Sequence, residues 1–237
     1  MNIFKRMLPH KFKRGIKEQL GVPSLHWSLE NLKKKNFNPS VIVDIGAYEG
    51  FWAKDVLEVY PAAKIFMIEA QKSKEEILMK FKKDHPNTDY AIELLSSQAG
   101  IDKLFKKSET ASHVTELEEP GADVYKIQTQ TLDQLLESRN FPLPDFLKLD
   151  VQGHELEVLK GAENALAHSE ICLLEVSLLN LGENPPLLAE VVSFMDKRNF
   201  QAYDISHFIR RPYDKALFQM DIFFAKKNSI LVSEQRW

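Results

Sequence analysis

The stretch Val41-Ile-Val-Asp-Ile-Gly-Ala-Tyr-Glu-Gly50 carries the clearest structural signal in this chain. It begins with five mostly apolar residues and then reaches a glycine, which is typical of a buried parallel strand. Apolar residues at helical spacing follow over 51–60, and the pattern stops before Pro61. A strand that runs through a glycine turn straight into a helix predicts the first βα unit of an α/β domain.

The same alternation continues along most of the chain. Further strands are predicted over 64–68, 90–95, 101–105, 125–129, 146–150, 171–176, 200–205 and 221–225. Helices are predicted over 73–83 with Ser73 as cap, and over 132–136, 155–166 and 187–197. This order indicates a mostly parallel, doubly wound sheet with helices on both faces, which binds its ligand at the carboxyl ends of the strands.

Composition excludes several classes of protein. The 237 residues are 44% hydrophobic and 27% charged, which is the balance of a globular chain and not of a disordered one. Cys172 is the only cysteine, so we expect no disulfide, and no metal site is predicted. The net charge of -3 argues against a nucleic-acid partner. Without a long apolar run or a signal peptide, the sequence predicts a soluble, cytoplasmic protein.

The first glycine turn predicts an adenosyl ligand. Gly46 has no Cβ, so a ligand can approach its backbone closely, and the following helix start can bind an anion such as a carboxylate. Asp44 places a negative charge where it could meet a ligand ammonium. Nineteen residues after Gly50, the second strand ends in Glu69, whose two oxygens suit the vicinal hydroxyls of a ribose.

Tyr48 separates two classes of adenosyl ligand. A dinucleotide site reads G-x-G-x-x-G, because its second glycine admits the pyrophosphate. Here Tyr48 occupies that second position, and Asp44 would lie near the phosphates. Both features favour S-adenosylmethionine over NAD. A nucleotide-dependent oxidoreductase or epimerase is the alternative enzyme.

A second cluster of polar residues follows the strand predicted over 146–150. Asp150, Gln152, His154 and Glu155 are crowded at its carboxyl end, around a tight turn at Gly153. Taken alone, Glu155 could be present only because an acidic residue stabilises the first turn of a helix, and His154 only because it lies in a solvated loop. Their occurrence together at the predicted cleft favours a functional role.

Three stretches together form a recognisable pattern: residues 41–50, Thr129-Gln-Thr-Leu-Asp-Gln-Leu-Leu136, and Phe146-Leu-Lys-Leu-Asp-Val-Gln-Gly-His-Glu-Leu-Glu-Val-Leu-Lys-Gly161. In these stretches the chain resembles the FkbM-type S-adenosylmethionine-dependent methyltransferases. Residues 95–100 and 173–177 also match. The resemblance implies a class I methyltransferase sheet of seven strands, the last of them antiparallel. The chain departs from the family pattern at Ala70, where proline is common, and at Ser97, where an acidic residue is common.

The resemblance also implies which residues hold the cofactor, S-adenosyl-L-methionine, and its product S-adenosyl-L-homocysteine. The methionine end is expected at the first turn, the ribose at the end of the second strand and the adenine edge after the third. The expected cofactor residues are Asp44, Gly46, Ala47, Tyr48, Gly50, Glu69, Ala70, Ser96, Ser97 and Asp150.

The expected reaction is methyl transfer to a hydroxyl oxygen of a sugar, glycan or natural product, and the partner is a small-molecule or glycan acceptor. A hydroxyl is a poor nucleophile, so a base near 3 Å is expected, with Asp150, His154 and Glu175 as candidates. His154 ranks first, because an unperturbed imidazole titrates near pH 6.5. A neighbouring carboxylate would raise the pKa of His154.

Two segments admit two interpretations each. Residues 1–35 carry nine Lys and Arg against two Glu, a net charge of +7, so the rest of the chain carries -10. This basic segment predicts either weak peripheral membrane contact through residues 1–20 or a helical arm that packs on its own domain. If the membrane contact were its main role, the protein would be a non-catalytic membrane-docked module. Residues 108–124, including His113, are predicted to be a loop that acts as a lid or is simply solvated. We therefore divide the chain into a basic helical arm, 1–38, with Ser24 as a helix cap, and a methyltransferase domain, 39–237.

Overall fold

The computed structural model describes residues 20–108, 112–116, 123–181 and 184–233. Its helices are α1 (Leu25–Lys34), α2 (Phe51–Val59), α3 (Glu75–Asp84), α4 (Leu132–Ser138), α5 (Glu155–Lys160), α6 (Glu163–His168), α7 (Leu188–Asp196) and α8 (Ile230–Ser233). Its strands are β1 (Val41–Ile45), β2 (Lys64–Glu69), β3 (Thr88–Ile92), β4 (Leu94–Leu95), β5 (Asp102–Lys106), β6 (His113–Thr115), β7 (Val124–Gln130), β8 (Phe146–Leu149), β9 (Ile171–Ser177), β10 (Phe200–Arg210) and β11 (Leu217–Lys226).

The main sheet has seven strands in the order β10-β11-β9-β8-β1-β2-β3. Strand β11 is antiparallel to both of its neighbours, and the pairs from β9 to β3 are parallel. This is the class I methyltransferase sheet that the sequence predicts, with its last strand reversed. Among the described residues, no helix combines the length and apolar character that crossing a bilayer requires.

The register of the central strands fixes the position of the site. Ile45, the last residue of β1, is paired with Ile68 of β2 on one side and with Leu149 of β8 on the other. The next residues along these three strands are Gly46, Glu69 and Asp150, so all three leave the sheet at the same edge. The carboxyl edge of a parallel sheet is where doubly wound folds bind ligands.

Alternate residues of each strand pack on opposite faces of the sheet. Val43 and Ile45 belong to the core beneath α4–α7, whereas Ile42 belongs to the core beneath α1–α3. On β8, Leu147 packs with the first group and Phe146 with the second. This period of two accounts for the continuous apolar runs in the sequence, because both faces are covered by helices.

Helix α1 is part of the core. Leu29 and Leu32 are buried, and the Ser28 hydroxyl donates to Asp204 of β10 at 2.7 Å. The Tyr60 hydroxyl donates to the backbone carbonyl of Leu29 at 3.0 Å. The predicted helix is confirmed, although Ser24 makes no side-chain cap hydrogen bond. The basic residues for which membrane contact is one interpretation lie mostly in 1–19, outside the described residues.

A smaller sheet covers the carboxyl edge of the main one, and it corrects two predictions. Its order is β4-β7-β5-β6. The predicted strand 90–95 is divided at Glu93, because Ile92 pairs with the end of β2 and Leu94 pairs with Thr129 of β7 instead. The segment 108–124, predicted to be a loop, contains strand β6, which pairs with β5 through contacts that no local pattern reveals.

Two helix predictions change in detail. A 3₁₀ turn at Lys72–Lys74 precedes α3, so Ser73 lies inside that turn and is not the cap of the helix. The helix predicted over 155–166 is interrupted at Gly161, where a Cβ would collide with the backbone carbonyl of Ser96. Strands β10 and β11 are longer than predicted.

Candidate active site

A cavity of about 240 Å³ lies at the carboxyl ends of β1, β2, β3 and β8, beneath the smaller sheet. We call it the main cavity. Its lining residues are Ile45, Gly46, Tyr48, Ile68, Glu69, Ala70, Gln71, Glu93, Leu94, Leu95, Phe105, Ser112, Val114, Asp150, Val151, Gln152 and His154. Six of the residues predicted from the sequence therefore meet here: Gly46, Tyr48, Glu69, Ala70, Asp150 and His154.

The glycine turn forms one wall of the main cavity. Gly46 has a φ of +75°, and a Cβ there would collide with the backbone carbonyl of Asp150. Gly50 has a φ of +80° and caps α2 against the ring of Phe81. Both positions therefore require glycine for conformation and for space. Tyr48 also has a positive φ, which fixes the direction of its side chain.

Glu69 is buried at the end of β2 and is held on both oxygens. Its Oε2 accepts from the backbone N–H of Tyr48 at 2.8 Å, and its Oε1 accepts from the N–H of Gln71 at 2.9 Å. Burial raises the pKa of Glu69, and these hydrogen bonds oppose that rise. Each carboxylate oxygen can accept more than one hydrogen bond, so the cavity side of Glu69 can still receive hydroxyl donors.

Asp44 is fully buried and is not among the lining residues of the main cavity. Its Oδ1 lies 2.9 Å from Nζ of Lys148, which also donates to the backbone carbonyl of Gly46 at 3.1 Å. Burial raises the pKa of Asp44, and Lys148 limits that rise. Burial lowers the pKa of Lys148, but Asp44 and Asp150 outweigh it, so the amine stays charged at neutral pH. Asp44 thus meets a cation that belongs to the protein itself.

Gln152 connects the turn after β8 to strand β9. Its side-chain N–H₂ donates to Oδ1 of Asp150 at 2.9 Å and to Oε2 of Glu175 at 2.8 Å. Burial, together with the nearby carboxylates Asp150, Glu155 and Asp221, raises the pKa of Glu175 to about 9. A carboxyl that holds its proton at neutral pH is a poor general base.

His154 lines the main cavity and is electrically neutral at physiological pH. Its Nε2 lies 3.1 Å from Oγ of Ser96. The pKa of His154 is lowered to about 4, mainly by burial. The cations Lys103 and Lys160 lower it further, whereas the carboxylate of Glu157 partly opposes the shift. The expected effect of a neighbouring carboxylate is present, since Glu157 raises this pKa, but the net shift is downward because desolvation of the imidazole dominates.

The other predicted residues do not line the main cavity. Glu155 is buried and its Oε1 accepts from the N–H groups of Val151 and Gly153, both at 3.1 Å, so it closes the turn. Burial raises its pKa to about 7. Ser97 donates to Glu157 at 2.8 Å. The remaining predicted residues outside the lining are Ala47, Gly50, Ser96 and Glu175.

Several lining residues are not assigned by the sequence. Gln71 and Glu93 follow β2 and β3, so the rule that ligands meet strand ends would have found them. Gln152 belongs to the polar cluster that the sequence indicates, but the sequence gives it no role. Phe105 and Val114 come from the smaller sheet, whose position over the cavity depends on pairing between distant segments.

A second cavity of about 170 Å³ adjoins the first and shares Gln152 with it. Its lining residues are His113, Gln152, Ser177, Leu179, Leu181, Pro185 and Phe218. The walls are therefore mostly apolar, with the Gln152 amide, the Ser177 hydroxyl and the His113 imidazole as the polar groups. The segment predicted to be a lid or a solvated loop contributes His113 to this second cavity.

Comparisons with known proteins agree with this architecture. The family model of the methyltransferase FkbM domain matches residues 44–202. The hexuronic acid methyltransferase AglP of Haloferax volcanii is 36% identical over 99 residues, which are 42% of this chain and 39% of that protein.

A solved structure gives the same fold. The crystal structure of methyltransferase FkbM from Methylobacillus flagellatus KT superposes with a TM-score of 0.50 at 18% identity, covering 77% of this chain and 43% of that one. The matched region thus spans less than half the length of either relative. With the family model covering most of the domain, the chain belongs to the FkbM methyltransferase family.

Proposed function

We propose that this protein transfers the methyl group of S-adenosylmethionine to a hydroxyl oxygen of a sugar, glycan or natural product. The observation that carries the proposal is Glu69, a carboxylate fixed by two backbone N–H groups at the strand end where Gly46 opens the cavity wall. A rigid bidentate acceptor of this kind suits the two hydroxyls of a ribose.

The rest of the main cavity fits the other parts of that cofactor. Helix α2 begins after Gly50, just beyond the lining residue Tyr48, with no side-chain cap and no acidic residue in its first turn, so its N-terminus adjoins the cavity and is suited to a carboxylate. Leu94, Leu95 and Phe105 provide apolar surface for adenine. Asp150, which lines the cavity beside Gly46, supplies negative charge for the ammonium of the amino-acid end.

In the proposed reaction the acceptor oxygen forms a bond to the methyl carbon as the carbon–sulfur bond breaks. The sulfonium supplies an activated methyl group and leaves as a neutral thioether. The protein must align the two reactants and remove the hydroxyl proton. His154 is neutral and lines the cavity, so it can accept that proton. If Nε2–H donates to Ser96, then Nδ1 is the basic atom.

The second cavity is the proposed place of the acceptor. It adjoins the main cavity at Gln152, and Phe218 and Pro185 offer apolar surface for the face of a sugar ring. Ser177 and His113 offer hydrogen-bonding groups for its hydroxyls. The name of the Haloferax relative, a hexuronic acid methyltransferase, supports an acceptor of the sugar class.

Calorimetric titration with S-adenosylhomocysteine and with NAD tests the cofactor. We expect binding of the first and none of the second, and preferential binding of NAD would favour an oxidoreductase or epimerase instead. Glu69→Gln should weaken S-adenosylhomocysteine by about 10–100-fold, because a hydrogen bond to a charged group contributes about 1.5–3 kcal/mol. Glu76→Gln, the same change on the exposed face of α3, is the control and should leave affinity unchanged. Unchanged affinity in Glu69→Gln would exclude the ribose assignment.

A further inference from the structure

Asp44 and Lys148 form a buried ion pair directly below the glycine turn. They are register partners on β1 and β8, and both side chains point to the face of the sheet covered by α1–α3. The distance from Nζ to Oδ1 is 2.9 Å, and the lysine side chain is almost fully buried. Burying two charges costs several kcal/mol per ion, and removing one partner leaves the other charge uncompensated. Neither carboxylate oxygen of Asp44 accepts an aligned hydrogen bond from a described residue, so the pair is held by charge.

Lys148 also engages the backbone that follows Asp44. Its Nζ donates to the carbonyl of Gly46 at 3.1 Å and approaches that of Ile45 at 3.4 Å. One amine therefore binds both the carboxylate and the carbonyl of the turn. Asp44 is fully buried and does not line the main cavity, so it lies out of reach of a ligand ammonium there. The Gly46 carbonyl oxygen already accepts from the Lys148 amine, whose charge opposes the approach of a second cation to the same atom.

Asp150 is the carboxylate that stays open to the main cavity. Its side chain is 42% exposed, its Oδ1 is oriented by Gln152, and its Oδ2 lies 3.9 Å from Nζ of Lys148. It lines the same cavity as Gly46 and Tyr48. The carboxylate of Asp150 therefore lies at the end of the cavity where the glycine turn after β1 meets the loop after β8.

We propose that Lys148 is a positioning residue, which neutralises Asp44 inside the protein, holds the Gly46 turn in place, and so leaves Asp150 to receive the ammonium of the cofactor's amino-acid end. The inference rests on the proposed function, since it assigns one end of the same ligand. It moves the ammonium contact from Asp44, where the sequence suggested it, to Asp150.

Two probes distinguish a contact with the amino-acid end from a general effect on the cavity. S-adenosylhomocysteine carries that end, whereas 5′-methylthioadenosine has the same adenosine and thioether without it. Calorimetry with both probes should show Asp150→Asn losing at least tenfold in affinity for S-adenosylhomocysteine and little for methylthioadenosine. An unchanged ratio of the two affinities in Asp150→Asn would overturn the assignment.

The ion pair is tested with Asp44→Asn, Lys148→Met and the double variant. Each single change leaves a buried charge without its partner, so it should lower the affinity for both probes by similar factors. The double variant contains no buried charge, and it should recover most of the affinity for S-adenosylhomocysteine. A loss in the double variant that affects S-adenosylhomocysteine alone would mean that Asp44 binds the ammonium directly, and would overturn the proposal.

Controls keep folding and function apart. The exposed pair Lys82–Asp89, at 2.8 Å, is changed in the same way to Met and Asn and should alter neither affinity. Circular dichroism identifies any single variant that fails to fold, in which case Asp150→Asn and the double variant decide the proposal. If the wild-type protein bound neither probe, the proposed function itself would fail, a result distinct from a wrong ammonium contact.

Discussion

The space that a Cβ on Gly46 would occupy is filled by the backbone carbonyl oxygen of Asp150. These two residues follow adjacent parallel strands, β1 and β8, and their contact brings the two loops of the main cavity together. The glycine at position 46 is therefore required by packing between the two loops as well as by its φ of +75°.

We expect Gly46→Ala to separate these loops and to abolish binding of S-adenosylhomocysteine. Gly100→Ala is the matched control, because Gly100 has a φ of +77° but a Cβ added there would meet no atom within 4 Å. The control should be less stable only by the conformational cost of a left-handed residue, about 1–2 kcal/mol in the free energy of unfolding. Urea unfolding and calorimetry of both variants measure the difference. Equal losses of stability and affinity in the two variants would contradict the contact argument.

His154 should titrate far below its ordinary range. Burial lowers its pKa to about 4, so the imidazole is already neutral at pH 5.5 and above. Titration of its ring protons by NMR, assigned with His154→Ala, should give an inflection near pH 4 rather than between 6 and 7. A base with this pKa leaves turnover independent of pH from about 5.5 to 8.

The catalytic contribution of His154 is a separate expectation. His154→Ala should lower turnover by about 10²–10⁴ while S-adenosylhomocysteine affinity stays near that of the wild type. Ser96→Ala is the comparison variant, because it removes the partner of Nε2 but keeps the imidazole, and it should cost less. Methyl transfer from radiolabelled cofactor provides the assay. Turnover of His154→Ala within a few-fold of wild type would point to catalysis by alignment alone.

Glu175 should make stability depend on pH. Its folded pKa of about 9 lies above the ordinary 4.5, so its contribution to stability is fully present below about pH 4.5 and is lost as the pH rises through 9. Glu175→Gln keeps an acceptor for Gln152 but does not titrate. Its stability relative to wild type should therefore increase between pH 5 and 9, by at most about 1.4 kcal/mol per pH unit.

Urea unfolding at several pH values measures this difference. The exposed Glu76→Gln variant should stay parallel to wild type over the same range. A stability difference between Glu175→Gln and wild type that does not change with pH would show that the carboxyl is ionised in the folded protein at neutral pH.

Local sequence patterns are sufficient to predict the fold and the edge of the sheet at which the site lies. Apolar runs such as 41–45 and 146–149 indicate buried parallel strands, and the glycines at 46 and 50 mark a tight turn, where both have a positive φ and little room for a Cβ. These signals are local, since strand character and positive φ are properties of a few consecutive residues. They predict that Gly46, Glu69 and His154 lie near one another, and the structure places all three in the lining of the main cavity.

The contacts of each polar group follow from the folded chain and could not be predicted from the sequence. Asp44 and Lys148 are 104 residues apart, and their pairing follows from the register of β1 against β8, which no local pattern specifies. The low pKa of His154 likewise depends on burial by distant segments, and strand β6 exists because it pairs with β5. Charge and solvation are set by neighbours in space, so the roles of these residues emerge only once the chain is folded.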